Sequence, residues 1–407
     1  MTGVDVLIIG AGQAAASCAA RLRAEGFDGS IAVLGAEEAP PYQRPALSKA
    51  YLTGAIGRER LFLRPEAFYP DNGIDLRTGC RVTGIDPAAR RVTLAEGGSL
   101  TWSRALVLAT GSVPRRLPAA IGGDLAGVHV LRDLVDADGL SPALEAGRRV
   151  LVVGGGYVGL EAAAVCAKRG LAVTLIEAAP RILQRVAAPE TADYFRALHN
   201  GHGVDLREGV GLARLVGDAG QVVGAELTDG TTLPVDLVIA GIGITPDTAL
   251  AEAAGVALDN GIAVDAECRT SIPGIWAAGD CASCLFEGQR IRLESVGNAV
   301  DMGEVVARNI LGAGLAYGPK PWFWSDQFDV KLQIAGLNTG YDALHVRAGD
   351  RGARSHWYYR KGRLIAVDAM NDPRGYMTGK RLIESGVSPD AALLADPTTD
   401  LRALMQG

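Results

Sequence analysis

One local pattern is written twice in this 407-residue chain, and it restricts the fold more than any other feature. Residues 4–9 are an apolar run that ends in Gly10-Ala11-Gly12-Gln13-Ala14-Ala15. An alanine-rich stretch to about Glu25 follows, then a second apolar run from Ser30 to Leu34 that closes near Glu37. The same order returns with Arg149 to Val153, Gly154-Gly155-Gly156-Tyr157-Val158-Gly159, a helical stretch to about Lys168, and a run from Ala172 to Ile176 ending at Glu177. Each copy reads as strand, glycine turn, helix, strand. The first glycine allows the tight turn, the second lets backbone approach a pyrophosphate, and the third small residue lets helix and strand close up. The helix N-terminus then faces the phosphate charge, and the terminal carboxylate accepts from ribose hydroxyls. One such match could be a plain turn. Two in the same context imply two dinucleotide sites.

Two further apolar runs, Leu106 to Gly111 and Leu237 to Gly243, each close on glycine. That fits a buried parallel strand delivering the chain to a ligand crevice, and equally an ordinary strand and turn. From Pro319 the texture changes. Aromatics gather in Trp322-Phe323-Trp324 and Trp357-Tyr358-Tyr359, and alternating runs (Lys331 to Ala335, Ala343 to Val346, Ser355 to Tyr359, Leu364 to Val367) predict an antiparallel sheet. Asp372-Pro373 then opens a helix that Gly386 closes. The fold class expected is α/β: two Rossmann-like dinucleotide-binding domains plus a small α+β C-terminal domain.

Composition sets limits on function. The formal charge of −6 comes with no basic stripe, which argues against a nucleic-acid binder. The N-terminal apolar run is cut short at Gly10 and lacks a basic lead, so it reads as a strand and not a signal peptide. No window approaches the roughly 18 apolar residues of a membrane span. A cytoplasmic protein with reduced cysteines is expected, since six scattered cysteines make no secreted framework. His199 and His202 lack a third ligand nearby, so no metal site is expected.

Several stretches resemble one family, the FAD- and NADH-dependent ferredoxin reductases of bacterial oxygenase systems, which includes putidaredoxin, rhodocoxin and biphenyl-type dioxygenase reductases. They are Tyr42 to Lys49, Ala109 to Gly111, Gly155 to Glu161, Thr270 to Asp280, Arg292 to Ala299 and Pro321 to Gln327. The resemblance implies a glutathione-reductase-like order: FAD-binding (1–113), NADH-binding (114–241), FAD-binding resumed (242–318) and a C-terminal domain (319–407). It implies that Gly10, Gly12, Ala15 and Glu37 hold the ADP half of FAD, that Arg44 neutralises pyrophosphate, and that Lys49 lies beside the isoalloxazine. Val82, Thr110 and Gly111 join that site, Asp280 serves the ribityl chain, and Val296, where many relatives carry Trp, offers backbone to the pyrimidine edge. Gly154, Gly156, Gly159, Glu177, Arg185 and Gly243 would line the NADH path. Glu161 would pair with Lys49 near the nicotinamide, Tyr157 would gate its entrance, and Trp324 would sit at the flavin edge facing the partner.

Each assignment has a plainer rival. Lys49 could be a surface lysine, Glu161 a solvated carboxylate, and the tryptophans packing. Asp280 could cap a helix starting there, a role compatible with binding and with a dipole aimed at the flavin. Glu177 at the strand end favours NADH over NADPH; the nearby Arg181 raises the opposite possibility, but an isolated arginine beside an acid is more often its ion-pair partner. The implied activity passes electrons from NADH through FAD, one at a time, to a [2Fe–2S] ferredoxin, which would dock through Arg308, Lys380 and Arg381 unless these are simply solvated. A peroxide, disulfide or quinone reductase on the same fold is the alternative, as is an NADH-sensing flavoprotein. The disulfide branch needs an accessible low-pKa thiol. Residues 37–52 contain no cysteine, and Cys281-Ala282-Ser283-Cys284 falls in the helix expected after Asp280.

Overall fold

The computed structural model describes residues 2–405. Met1 and residues 406–407, the outer ends of the expected first and last segments, lie outside the described residues. The chain forms two compact units. One combines Met1–Gln43, Arg58–Val113 and Thr245–Pro321; the other combines Arg44–Gly57, Pro114–Ile244 and Trp322–Gly407. Among the described residues no helix is long and apolar enough to cross a membrane.

The first unit is organised by strand Thr2–Ile9, whose apolar run is buried on both faces. It pairs in parallel with Ile31–Leu34 on one side and Ser99–Leu108 on the other, so that Ile9 stands opposite both Leu34 and Leu108. Ile74–Arg77 extends one edge in parallel. Strand Ser99–Leu108 is long enough to do two jobs: its first residues pair antiparallel with Arg91–Leu94, and its last three pair in parallel with Ile275–Ala277. Three strand C-termini therefore end together at Gly10, Ala109 and Ala278, which is where a doubly wound sheet binds ligand. Helices Gln13–Ala24 and Val296–Ile310 cross closely, because a Cβ on Gly303 would stand 2.5 Å from the Ala14 carbonyl oxygen.

The second unit repeats the design. Strand Arg149–Val153 pairs in parallel with Ala172–Glu177 and Leu237–Ala240, with Asp205–Glu208 and Val128–His129 at the edges. An antiparallel ribbon, Leu212–Asp218, Gln221–Leu227 and Thr232–Pro234, is inserted before Leu237. Residues from Trp322 build a five-stranded antiparallel sheet in the order Trp322–Gln327, Val330–Gly336, Arg363–Met370, Arg354–Arg360, Ala343–Ala348. Helix Pro373–Ser385 packs on it. Asp372 accepts from the Gly375 N–H at 2.8 Å as N-cap, and Gly386 ends the helix at φ +73°.

One expectation is corrected here. No helix starts at Asp280. Residues Ala282–Phe286 are a strand that pairs antiparallel with Gln289–Ile291. The intervening Glu287 and Gly288 both have positive φ, 46° and 78°, the requirement of a tight hairpin turn of type I′. The nearest helix begins at Val296 instead, capped by Ser295, whose Oγ accepts from the Asn298 N–H at 3.2 Å.

Candidate functional site

In the first unit the glycine turn has one tight face and one open face. Gly10 sits at φ +105°, and a Cβ there would stand 2.1 Å from the Ala109 carbonyl oxygen, so only glycine fits. Nothing lies within 4 Å of the Cβ position at Gly12. Helix Gln13–Ala24 has Gly12 as N-cap, no side-chain cap and no acid in its first turn, so its leading N–H groups are left for an anion. Ala15 is fully buried in that turn. Glu37, past the second strand, accepts from the Tyr42 hydroxyl at 2.5 Å.

The remaining residues expected around FAD in this unit come from four segments. Val82 is buried at the start of strand Val82–Asp86. Thr110 Oγ1 donates to the Asp247 carbonyl at 2.6 Å, and the Gly111 carbonyl accepts from the Asp247 N–H at 3.0 Å. Asp280 Oδ2 accepts from Ser112 Oγ at 3.1 Å. Gly279, at φ +82°, packs its backbone against Ala14, which brings the Asp280 loop to the N-terminus of the first helix. Val296 is the first residue of helix Val296–Ile310. Asp247 and Ser112 were not anticipated. Neither residue type carries a recognisable signal until its partner strand end is known.

In the second unit the turn is built alike. Gly154 lies at φ +108° with a virtual Cβ 2.5 Å from the Gly241 carbonyl oxygen, and one at Gly159 would stand 2.0 Å from the Gly154 carbonyl oxygen. Gly156 is open above, and helix Tyr157–Lys168 again begins without a side-chain cap or acid in its first turn. Both cradles therefore fit a pyrophosphate. Glu177 Oε2 accepts from the Gly155 N–H at 2.7 Å and Oε1 from the Ala179 N–H at 2.8 Å. Arg181 is not its ion-pair partner: the guanidinium donates to the Gln184 carbonyl at 3.3 Å and reaches the Ile182 carbonyl at 3.5 Å. Backbone N–H groups already satisfy the carboxylate, so the arginine turns to carbonyls. Gly243, at φ +96°, lies against the Arg185 guanidinium.

Helix Tyr157–Lys168 carries Glu161, which is 3% exposed and far from being a solvated carboxylate. Lys49, from the single π-turn Leu47–Tyr51, puts Nζ 2.8 Å from Glu161 Oε2. Ser48 Oγ donates to the same oxygen at 2.6 Å, and Ser325 Oγ donates to Oε1 at 2.6 Å. A buried carboxylate survives only when paired and hydrogen-bonded, and this one is both. Ser48 and Ser325 escaped the sequence reading although both lie inside motifs quoted for it. Arg44 donates to the Arg132 carbonyl at 3.2 Å. Tyr157 packs against Phe323 with centroids 4.8 Å apart and the rings tilted by 35°; its ring is partly exposed but its hydroxyl is buried. Burial, with Asp368, Tyr358 and Glu161 nearby, holds that phenol far above its usual pKa. Trp324 stacks on Trp322 at 5.5 Å. Strand alternation puts both on the face opposite Ser325 and Gln327.

Among the described residues no thiol is set up for redox work. Cys281 and Cys284 are buried, the Cys281 thiol faces the Leu108 and Ala278 carbonyls, and burial pushes both thiols up in pKa.

Residues 4–303 match the pyridine nucleotide-disulphide oxidoreductase family, and residues 322–405 match the reductase C-terminal family. The chain is 45% identical over 410 aligned positions to a ferredoxin–NAD(P)+ reductase of a Sphingomonas species, covering 99% of this chain and 98% of that protein. It is 39% identical to putidaredoxin reductase of Pseudomonas putida, with 98% and 96% covered. The crystal structure of the covalent putidaredoxin reductase–putidaredoxin complex superimposes with a TM-score of 0.95 at 38% identity, covering 100% and 99% of the two chains.

Proposed function

The chain belongs to the pyridine nucleotide-disulphide oxidoreductase family and is an FAD-dependent NADH:ferredoxin reductase of an oxygenase system; within that activity we propose the following roles for its residues. FAD, when bound, would supply the chemistry that links a two-electron hydride donor, NADH, to a one-electron [2Fe–2S] acceptor. Everything else is the work of the protein: holding, orienting and drying the reactants.

Gly10, Gly12 and Ala15 seat the FAD pyrophosphate on the uncapped first helix, and Glu37 takes its ribose. Arg44 adds positive charge to that pyrophosphate. Thr110, Gly111 and Val82 wall the site, Asp280 accepts from the ribityl hydroxyls, and Val296 presents the free N–H of a helix start to the pyrimidine edge. Gly154, Gly156 and Gly159 seat the NADH pyrophosphate, with Arg185 and Gly243 along its path. Glu177 accepts from the adenosine ribose and repels a 2′-phosphate. Tyr157 gates the nicotinamide, and Trp324 lies at the flavin edge toward the ferredoxin. The domain roles follow: FAD on 1–113 and 242–318, NADH on 114–241, and partner contact in part on 319–407.

One observation carries the nicotinamide assignment. The buried Lys49–Glu161 pair joins the π-turn Leu47–Tyr51 to the early turns of the second glycine-capped helix, and two serine hydroxyls fix its carboxylate. A buried ion pair is a poor device for stability alone, because desolvation offsets most of the attraction. Its use here is to aim a carboxylate at the nicotinamide carboxamide and a cation at the flavin. In anaerobic stopped-flow reduction by NADH, Glu161→Gln should slow flavin bleaching at least tenfold, with FAD retained. Bleaching at the wild-type rate would remove Glu161 from the site.

Docking is proposed at Arg308 on one unit and at Lys380 and Arg381 on the other. Arg308 Nε lies 2.9 Å from Glu25 Oε1, and Arg21 reaches Glu304 at 2.7 Å, so this patch is locally neutral. Lys380 pairs with Glu384. An acidic ferredoxin would dock there by exchanging these carboxylates for its own. Six cysteines without a disulfide support a cytoplasmic setting.

A further inference from the structure

The carboxylate of Glu161 ends a chain of hydrogen bonds longer than its contact with Lys49 requires. Ser325 Oγ donates to Glu161 Oε1 at 2.6 Å, Gln327 Nε2 donates to Ser325 Oγ at 3.1 Å, and His199 Nε2 lies 2.9 Å from Gln327 Oε1. An amide oxygen only accepts, so His199 carries its proton on Nε2. The single Ser325 proton goes to Glu161, so the Ser325 oxygen is left to receive the Gln327 amide. Every donor in the chain thus points the same way, from His199 toward Glu161. Ser325, Gln327 and His199 are fully buried, beyond the reach of competing water.

The opposite polarity has a specific cost. Turning the Gln327 amide over would aim its oxygen at Ser325, draw the serine proton away, and leave Glu161 Oε1 without its donor in a buried site. The His199 tautomer therefore fixes the anchoring of a carboxylate three residues away along the chain of bonds. Burial lowers the His199 pKa to about 4, so at neutral pH the ring carries one N–H and has a definite polarity. Its Nδ1 is buried with no partner among the described residues, a cost that packing alone would avoid with an apolar side chain.

Two separate segments supply the chain: His199 from helix Pro189–Gly201, and Ser325 and Gln327 from one face of strand Trp322–Gln327. We propose that His199, Gln327 and Ser325 are positioning residues that fix the orientation of the Glu161 carboxylate toward the nicotinamide. The proposal rests on the placement of Glu161 beside that ring. It makes the C-terminal sheet a part of the NADH site, acting through Glu161 without touching the dinucleotide.

The test separates the nicotinamide end of the ligand from the rest. NAD+ and ADP-ribose, which lacks nicotinamide, are titrated calorimetrically into the oxidised FAD-loaded protein and its Glu161→Gln, Ser325→Ala, Gln327→Glu and His199→Phe variants. Gln327→Glu keeps the shape and, as an ionised carboxylate, can only accept from Ser325, which reverses the chain. The expected result is that Ser325→Ala and Gln327→Glu weaken NAD+ about three- to tenfold, as Glu161→Gln does, while ADP-ribose binding is unchanged. His199→Phe should act in the same direction but less. If Glu161→Gln weakens NAD+ selectively while Ser325→Ala and Gln327→Glu do not, the chain is packing and the proposal is overturned. Equal losses for NAD+ and ADP-ribose in those two variants mean a general structural role and overturn it as well. An unchanged NAD+ to ADP-ribose ratio in Glu161→Gln shows that Glu161 is not at the nicotinamide, and the proposal falls with that placement. Ser325→Ala removes one oxygen atom, so the test survives if Gln327→Glu fails to fold.

Discussion

Replacing Glu177 with alanine should change both the preference for the dinucleotide and the firmness of the turn beneath it. Both carboxylate oxygens hold backbone, Gly155 N–H at 2.7 Å and Ala179 N–H at 2.8 Å, and each keeps a second lone pair for a ribose hydroxyl. Losing the two charge-assisted bonds from this half-buried site should cost about 3 kcal/mol of stability. Losing the ribose bond should cost NADH about 1.5–3 kcal/mol, or roughly ten- to hundredfold in kcat/KM. NADPH gains instead. A carboxylate and a phosphate charge some 4 Å apart repel by about 4 kcal/mol at an effective dielectric of 20, and partial exposure leaves about a third of that, roughly tenfold. The NADH to NADPH ratio of kcat/KM should therefore fall by roughly a hundredfold or more. Glu177→Gln should destabilise nearly as much despite its shape, because its amide sets a donor against a backbone N–H. The assay is anaerobic flavin reduction by each dinucleotide, with thermal melting alongside. A wild-type protein reduced equally well by NADPH, or a ratio that moves less than about threefold, would refute the reasoning.

Gly10→Ala should yield protein largely without FAD, since a methyl group cannot share space with the Ala109 carbonyl 2.1 Å away; normal flavin content by absorbance would contradict the tight-turn argument. Asp368 is raised from 3.8 to about 6 by burial, against donors from Thr191 and Tyr358. The native state thus holds its proton more tightly than the unfolded chain, and this stability is present below pH 4 and lost as pH rises through 6. Asp368→Asn lacks that loss. In urea denaturation the variant should gain about 2.4 kcal/mol relative to wild type between pH 4 and pH 7, and a constant difference would disprove it. Arg308→Glu should lower the ferredoxin reduction rate and flatten its salt dependence while NADH-driven flavin reduction stays as it is. An unchanged ferredoxin rate removes Arg308 from the docking surface.

The duplicated turns were legible because their glycines recur at fixed spacing behind an apolar run; the virtual Cβ overlaps backbone of the turn itself at Gly159, where it meets Gly154, while at Gly10 and Gly154 it meets the distant Ala109 and Gly241. Strand Arg149–Val153 and helix Tyr157–Lys168 match the residues read from the pattern, since the apolar run and the glycine turn agree there. Four of the five C-terminal strands were legible by alternation, with ends that differ by up to three residues, while Trp322–Gln327 was read only as an aromatic cluster. The stretch after Asp280 misled because Ala277-Ala278-Gly279-Asp280 resembles a helix start, while the Glu287-Gly288 hairpin turn that decides the matter lies beyond it. The setting of Glu161 was the least legible part. Its partners come from residues 48, 49 and 325, and long-range pairing of serines leaves no periodic mark in a sequence. His199 was set aside for want of a metal partner, yet its role is a single hydrogen bond to Gln327.

The most direct test of the central claim is the electron count. NADH oxidation by the FAD-loaded protein is followed anaerobically together with the absorbance of a [2Fe–2S] ferredoxin. The account predicts two ferredoxins reduced for each NADH consumed, with no consumption of peroxide, disulfide or quinone needed to sustain turnover. NADH that bleaches the flavin while every [2Fe–2S] ferredoxin offered stays oxidised would contradict it.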